Sequence, residues 1–244
     1  MVKVLRVWAE THPGAVRPNN QDCFGLPGFQ SQSAKDSCQL EINLERGWAL
    51  VSDGMGGHRA GAYASKVAVE FISERLPALQ NSADLLGLLT LANHHIHEAM
   101  LSGEGEPGMG ATVVGLWFDI DSVSIFNVGD SRAYILRRGE ISQISLDHTP
   151  ESGSQTERRS HRLTQSLGGT FHRLDPIPHI ASVPIGEVDS ILLCTDGLTD
   201  LVNDQQILSI LEREGGNPAQ NLVDSALSAG GRDNITAVFL RLSQ

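Results

Sequence analysis

Trp48-Ala49-Leu50-Val51-Ser52-Asp53-Gly54-Met55-Gly56-Gly57-His58 begins as an apolar run of strand type, stops at Asp-Gly, and passes through glycine into a helical pattern. A carboxylate at the mouth of a buried strand, in a loop nearly free of side chains, suits a metal ion. The glycines let a ligand or a second backbone segment come close. The same device recurs in Ile191-Leu192-Leu193-Cys194-Thr195-Asp196-Gly197. Two such corners far apart in one chain suggest that distant segments deliver carboxylates to one place.

Outward from this stretch, the periodicity predicts strands over 4–9 and 22–25, a polar loop over 30–36 and a strand over 39–44. Helices are predicted over 60–76 and 84–101, with Pro77 past the end of the first and Asp84 as N-cap of the second. The period then changes. Short strands over 111–118, 122–128, 132–136 and 140–144 read as an antiparallel meander. A strand over 180–183 and the apolar run 191–194 precede helices over 204–213 and 218–229, and a final strand covers 234–242. Helices in pairs and hairpin-connected strands in runs fit an α+β layered domain better than alternating βαβ units.

The 244 residues, 40% hydrophobic and 19% charged, suit one large soluble domain, 1–244, with no linker or internal repeat. A net charge of -11 and the lack of a basic stripe argue against nucleic-acid binding. No apolar run nears the roughly 20 residues that span a bilayer, and the first residues lack signal-peptide features. Cys23, Cys38 and Cys194 follow no metal spacing and leave one thiol over in any disulfide scheme. A reduced cytoplasmic protein without membrane attachment is expected, with Cys194 in the core.

Four acids share one context, glycine beside them and apolar residues before them: Asp53, Asp130, Asp196 and Asp233; Asp22 follows Asn19-Asn20-Gln21. Each alone is ordinary turn chemistry. Together, if they converge, they form an all-oxygen ligand set suited to Mg²⁺ or Mn²⁺. Two such ions can bind a bridging hydroxide and clamp a phosphoryl group for in-line attack.

The motifs Arg17-Pro18-Asn19-Asn20-Gln21-Asp22, Asp53-Gly54-Met55-Gly56-Gly57-His58, Gly110-Ala111-Thr112, Val128-Gly129-Asp130-Ser131-Arg132-Ala133-Tyr134, Asp147-His148-Thr149, Thr195-Asp196-Gly197-Leu198 and Gly231-Arg232-Asp233-Asn234 occur in this order. In that order they resemble the metal-dependent PP2C-type (PPM) protein serine/threonine phosphatases in their compact bacterial form. The resemblance runs from Arg17 to the last strand. It implies a central sandwich of two antiparallel β-sheets flanked by helix pairs, a four-layer αββα architecture. It also implies a site for two Mn²⁺ or Mg²⁺ ions, with a third in bacterial members. By position, Asp53 bridges the two ions and Asp196 and Asp233 complete the first. The Gly54 carbonyl binds the second, which Asp22 reaches through water. Asp130 with Asp196 matches the third site, and Arg17 matches the arginine that grips the substrate phosphate, a task its planar fork suits.

The chain departs from the pattern at three points. Gln21 stands where animal members carry Glu. Met55 replaces a histidine proposed as general acid, leaving His58 as a candidate substrate contact beside its plainer reading as a helix-start residue. The flap over the active site, about 149–162, looks shortened; its Arg158 and Arg159 are candidate docking residues for acidic phosphoprotein segments, against the plainer reading of a solvated loop.

Two other phosphatase chemistries fail. Asp119-Ile120-Asp121-Ser122 imitates a haloacid-dehalogenase nucleophile motif, but the last lysine is Lys66 and the stretch reads as a hairpin turn. A cysteine phosphatase needs arginine six positions after its nucleophile; Phe29, Leu44 and Asp200 stand there. His94, His95 and His97 read as a solvated helix face rather than a metal site.

The resemblance implies hydrolysis of phosphoserine and phosphothreonine in proteins by direct attack of a metal-bridging hydroxide, without a phosphoenzyme. The alternative is a catalytically silent phosphoprotein-binding scaffold of the same fold. The expected partners are a phosphorylated protein and a cognate bacterial Ser/Thr kinase, in a role that could belong to type VI secretion. A monomer is expected.

Overall fold

Strands buried at nearly every position, and so covered on both faces, build two sheets. The structure, a computed structural model, describes residues 4–150, 162–213 and 215–242, apart from the side chains of Arg46 and His58. In chain order the strands are β1 (Val4–His12), β2 (Asp22–Leu26), β3 (Phe29–Gln30), β4 (Asp36–Asn43), β5 (Trp48–Met55), β6 (Gly110–Ala111), β7 (Val113–Phe118), β8 (Ser122–Val128), β9 (Arg132–Arg137), β10 (Glu140–Gln143), β11 (Leu167–Gly168), β12 (His179–Pro184), β13 (Ser190–Cys194) and β14 (Ile235–Leu242). The helices are α1 (His58–Arg75), α2 (Asp84–Ser102), α3 (Asp196–Thr199), α4 (Asp204–Leu211) and α5 (Pro218–Ser228). One sheet runs β10-β9-β13-β14-β1-β4. The other runs β11-β6-β5-β7-β8-β12, with β2 on β5 and β3 on β2.

Because side chains alternate across a strand, each sheet has two usable faces. Val7 and Ala9 of β1, Ala49 and Val51 of β5, and Val238 and Leu240 of β14 meet between the sheets. The opposite face of β5, Trp48 and Leu50, packs against Ala64, Ala68 and Ile72 of α1 and Leu89 and Ile96 of α2. On the other side, Trp8, Ala237 and Phe239 pack under Ile207 and Leu211 of α4 and Leu222 and Val223 of α5. These three apolar layers between four structural layers are the expected αββα sandwich. Each fully buried Phe or Leu in them stabilises the fold by about 1.5–3 kcal/mol relative to exposure.

The structure corrects several local expectations. β5 does not stop at Asp53-Gly54 but continues through both to Met55, because Thr112 accepts from and donates to the Asp53 backbone. Asp196 opens the short helix α3 instead of lying in a loop. The N-cap of α2 is Ala83; the Asp84 carboxylate accepts from the backbone of Gln80 and Asn81, reaching back outside the helix. The histidines of α2 are not a solvated face: His97 is buried, His95 stacks on Phe71 and His94 pairs with Asp175. The 119–121 stretch is the turn of the β7–β8 hairpin, closed by Asp119 N–H donating to Ser122 O. All three cysteines are free, with Cys194 buried. Among the described residues no helix is long and apolar enough to cross a membrane.

Candidate active site

Strand register brings the first two acids together. β2 pairs with β5 so that Asp22 lies directly opposite Asp53. Like charges facing each other across an antiparallel pair destabilise it, so this register needs a compensating proton or cation. Asp130 follows β8, Asp196 begins α3 at the end of β13, and Asp233 precedes β14. Asp53, Gly54, Asp130, Asp196 and Asp233 all line one cleft of about 1000 Å³, together with Arg17 and Arg232. Asp22 sits buried behind it.

Glycine makes the close approach that the sequence suggested. A Cβ on Gly54 would collide with the Gly61 carbonyl in the first turn of α1, and one on Gly197 with the Asn234 carbonyl. α1 and β14 can therefore press directly against the strands that carry the acids.

Burial and mutual repulsion set the protonation of the acids. Burial, then Asp22, Asp196, Asp130 and Asp233, hold the Asp53 carboxyl well above the usual carboxylate range. Burial, then Asp130, Asp200 and the other acids, do the same to Asp196. Burial pushes Asp22 up to about 7 against the hydrogen bonds it accepts. Asp130 rises to about 6, chiefly through burial, with Asp147 and Asp200 adding to it. The Arg17 pKa is raised as well, which for a guanidinium favours the charged form, chiefly through the hydrogen bond to Asp233.

The donor set fits hard divalent cations. It is all oxygen, it repels itself when ionised, and Asp22 leaves Oδ1 buried with no hydrogen-bond donor. The neighbouring Asp53 carboxyl could satisfy that oxygen only if the pair shares a proton. Among the described residues, no three His, Cys, Asp or Glu side chains already close into a cage. Acids spaced around a cleft suit ions that keep several waters, as Mg²⁺ and Mn²⁺ do.

A supporting shell, to whose members the sequence reading assigned no roles, holds these groups. Asp22 Oδ2 accepts from Thr195 Oγ1 at 2.9 Å and from Thr236 Oγ1 at 2.7 Å. The Asn234 side chain accepts from Gln21 N–H and donates to the Pro13 and Asn19 carbonyls, fixing the loop that carries Arg17. Thr112 Oγ1 bonds Ser131 Oγ at 2.7 Å, tying Asp53 to the Asp130 turn. That turn is closed by His148, whose N–H donates to Gly129 O while its Nδ1 accepts from Gly129 N–H. Next to it, burial opposes the Arg132 charge, but a fork of hydrogen bonds to Asp147 more than restores it. Thr112, Ser131, Arg132, Asp147, His148, Thr195 and Asn234 all lie inside the quoted motifs, which is the signal that points to them. Thr236 lies outside those motifs and reaches Asp22 through the pairing of β14 with β1 and β13.

Of the remaining candidates, His58 opens α1, with Gly57 as a cap that makes no side-chain hydrogen bond. Arg158 and Arg159 lie outside the described residues, as does most of the proposed flap. Leu163, just after it, lines the cleft.

Residues 30–227 match the family model described as protein phosphatase 2C. The chain is 34% identical over 249 residues to the serine/threonine protein phosphatase PstP of Mycobacterium tuberculosis, covering 96% of this chain and 44% of PstP. The chain belongs to the protein phosphatase 2C family. It spans less than half the length of PstP, but 93% of the serine/threonine phosphatase stp of Listeria monocytogenes, to which it is 31% identical over 250 residues and 94% of this chain. Among solved structures it is similar to PppA of Pseudomonas aeruginosa, described as a key regulatory component of T6SS. That match has 27% identity, a TM-score of 0.79 and 99% coverage of each chain. The protein phosphatase 2C model match contains Asp53, Gly54, Asp130 and Asp196 but not Arg17, Asp22 or Asp233. The fold carries those three to the same place.

Proposed function

We propose that this chain is a metal-dependent protein serine/threonine phosphatase. The observation that carries the reading is the single cleft shared by Arg17, Asp53, Gly54, Asp130, Asp196 and Asp233. Asp53, Asp196, Asp233 and the Gly54 carbonyl would hold two Mn²⁺ or Mg²⁺ ions, with Asp22 behind them and Asp130 with Asp196 available to a third. Bound there, such ions supply Lewis acidity, lowering the pKa of water and neutralising phosphoryl oxygens.

The protein's own part is positioning and charge. The Arg17 guanidinium stands at the cleft with a fork suited to two phosphate oxygens. It reaches a phosphoryl group by exchanging Asp233 for it, and Arg232 adds a second cation on the wall. With Met55 where the resemblance places a histidine in animal members, the leaving-group proton would come from water or from His58. The alternative of a silent scaffold is not favoured, since every acid of the pattern is present and faces or backs the cleft.

The substrate is a phosphorylated protein, and the partner a bacterial Ser/Thr kinase whose marks this chain removes. Likeness to PppA supports a place in type VI secretion control. We read 1–244 as one catalytic domain with a shortened flap at 149–162, acting as a cytoplasmic monomer. The test is turnover of phosphoserine and phosphothreonine peptides with Mn²⁺, with Mg²⁺ and in excess chelator. Activity that needs the metal and disappears with chelator supports the reading, and robust turnover in chelator removes it.

A further inference from the structure

Between β11 and β12 runs Gly169-Thr170-Phe171-His172-Arg173-Leu174-Asp175-Pro176-Ile177-Pro178. Here Phe171, Leu174 and Ile177 are 82%, 68% and 74% exposed. Single exposed apolar residues are ordinary. Three bulky ones within seven positions of one connection mark a contact surface.

Their backbone is pinned. Gly169 N–H donates to Met109 O at 2.7 Å, and Ile177 N–H to Gln165 Oε1 at 3.2 Å. Asn93, buried on α2, donates to Leu174 O, and His94 Nε2 lies 2.8 Å from Asp175 Oδ1. Pro176 is buried between the exposed side chains. A partner meeting this segment would not first have to order it, which removes one of the main costs of association.

Its Gly169–Phe171 end stands at the rim of the acidic cleft. A Cβ on Gly169 would come within 2.9 Å of Met55 Cε, and one on Gly108 within 3.9 Å of the Phe171 ring. The Gly108 carbonyl in turn lies against Gly56, and Met55 and Gly56 both line the cleft. Charge points the same way. In a chain of net charge -11, Arg17 and Arg232 line the cleft, and Arg173 is exposed between Phe171 and Leu174. The segment's own acid, Asp175, is paired with His94.

We propose that residues 169–178 form a docking surface for the polypeptide around the phosphorylated residue, selecting phosphoproteins with bulky apolar side chains beside phosphoserine or phosphothreonine. The proposal rests on the phosphatase reading. The phosphate enters toward Arg17 while a neighbouring apolar side chain covers Phe171, and residues further along the peptide meet Leu174 and Ile177.

The test compares two phosphopeptides of equal length and charge, one with Leu and Phe flanking the phosphoresidue and one with Ala and Ser. Both are assayed with the full chain and Mn²⁺, with p-nitrophenyl phosphate as a substrate too small to reach the rim. The expected result is about a tenfold higher kcat/KM for the apolar peptide, the scale of losing one interface anchor. That preference should collapse in a Phe171→Ser/Ile177→Ser double variant, survive in Phe171→Leu, and leave p-nitrophenyl phosphate turnover unchanged. Equal turnover of the two peptides by the parent chain overturns the proposal, as does a preference that survives the double variant. Loss of p-nitrophenyl phosphate turnover in that variant overturns it too, since the segment would then be shaping the cleft. A concentration-dependent dimer in sedimentation that the double variant abolishes assigns the patch to a second copy and likewise overturns it. If the parent chain hydrolyses neither peptide nor p-nitrophenyl phosphate, the phosphatase reading itself falls and takes this inference with it.

Discussion

The Arg17 guanidinium donates to Asp233 Oδ2 at 2.7 Å, joining residues 216 positions apart. One belongs to the group read as gripping phosphate, the other to the group read as holding metal, and both side chains remain partly exposed. An ion pair this wet stabilises the fold by at most about 1 kcal/mol. Its value is positional, because it holds the cation at the cleft, where on the proposed reading a phosphate would replace the carboxylate.

Arg17→Ala is therefore predicted to raise KM and lower kcat/KM toward phosphopeptides by about a hundredfold, the scale of losing one charge-stabilising donor. The fold should be nearly unaffected. Steady-state kinetics beside a thermal melt check this, and unchanged kinetics would remove Arg17 from the site.

Asp53→Asn is predicted to abolish nearly all metal-dependent turnover while stabilising the metal-free protein. Folding raises the Asp53 pKa. The acid therefore binds its proton more tightly in the native state, and stability is lost as pH rises through the gap between the two values. Asparagine never ionises. In EDTA at pH 8 the variant should melt above the parent, and a lower melting temperature would contradict the repulsion described here.

Thr236→Val keeps the β-branched shape of a β14 residue but removes the 2.7 Å donor to Asp22. Leaving a buried carboxylate short of one hydrogen bond costs about 1–3 kcal/mol. Urea denaturation should show a loss of that size, restored by Thr236→Ser. Equal stability of the valine variant would mean that Asp22 does not depend on this hydroxyl.

Glu10, buried under α5 with Oε2 unpartnered, gives a pH test away from the cleft. Burial, then Asp224 and Asp36, push its carboxyl up to about 7. Its pKa is raised on folding, so native stability falls as pH rises from about 4.5 toward 7 and stays low above that. Glu10→Gln should therefore raise the melting temperature at pH 8 and change little at pH 5. A gain at pH 5 as large as at pH 8 would show that ionisation is not the cause.

Reading the chain alone yielded much of this because its evidence is local. Short apolar runs in Val4–His12 and Ile235–Leu242, helical spacing after Gly57, and acids beside glycine are all set by neighbours a few positions away. From those signals and the family's motif order, the αββα sandwich and the acids of the cleft are legible in the chain. Where a local rule misled, a tertiary partner had overridden it. Asp53 stays in strand because Thr112 continues the ladder past it. His97 is buried although its neighbour His95 is exposed. Asp84 lies inside its helix and accepts from Gln80 and Asn81 instead of capping it.

The sequence by itself determined which acids and arginines this protein has to offer a metal or a phosphate on the proposed reading, because composition and spacing are written along the chain. Only the tertiary structure decided that Asp22 faces Asp53, that Thr236 and Asn234 support them, and that Phe171 stands on the rim. Those facts depend on strand register and sheet order. Register and sheet order are fixed by which apolar faces bury together across hundreds of residues, a choice that no short window of sequence contains.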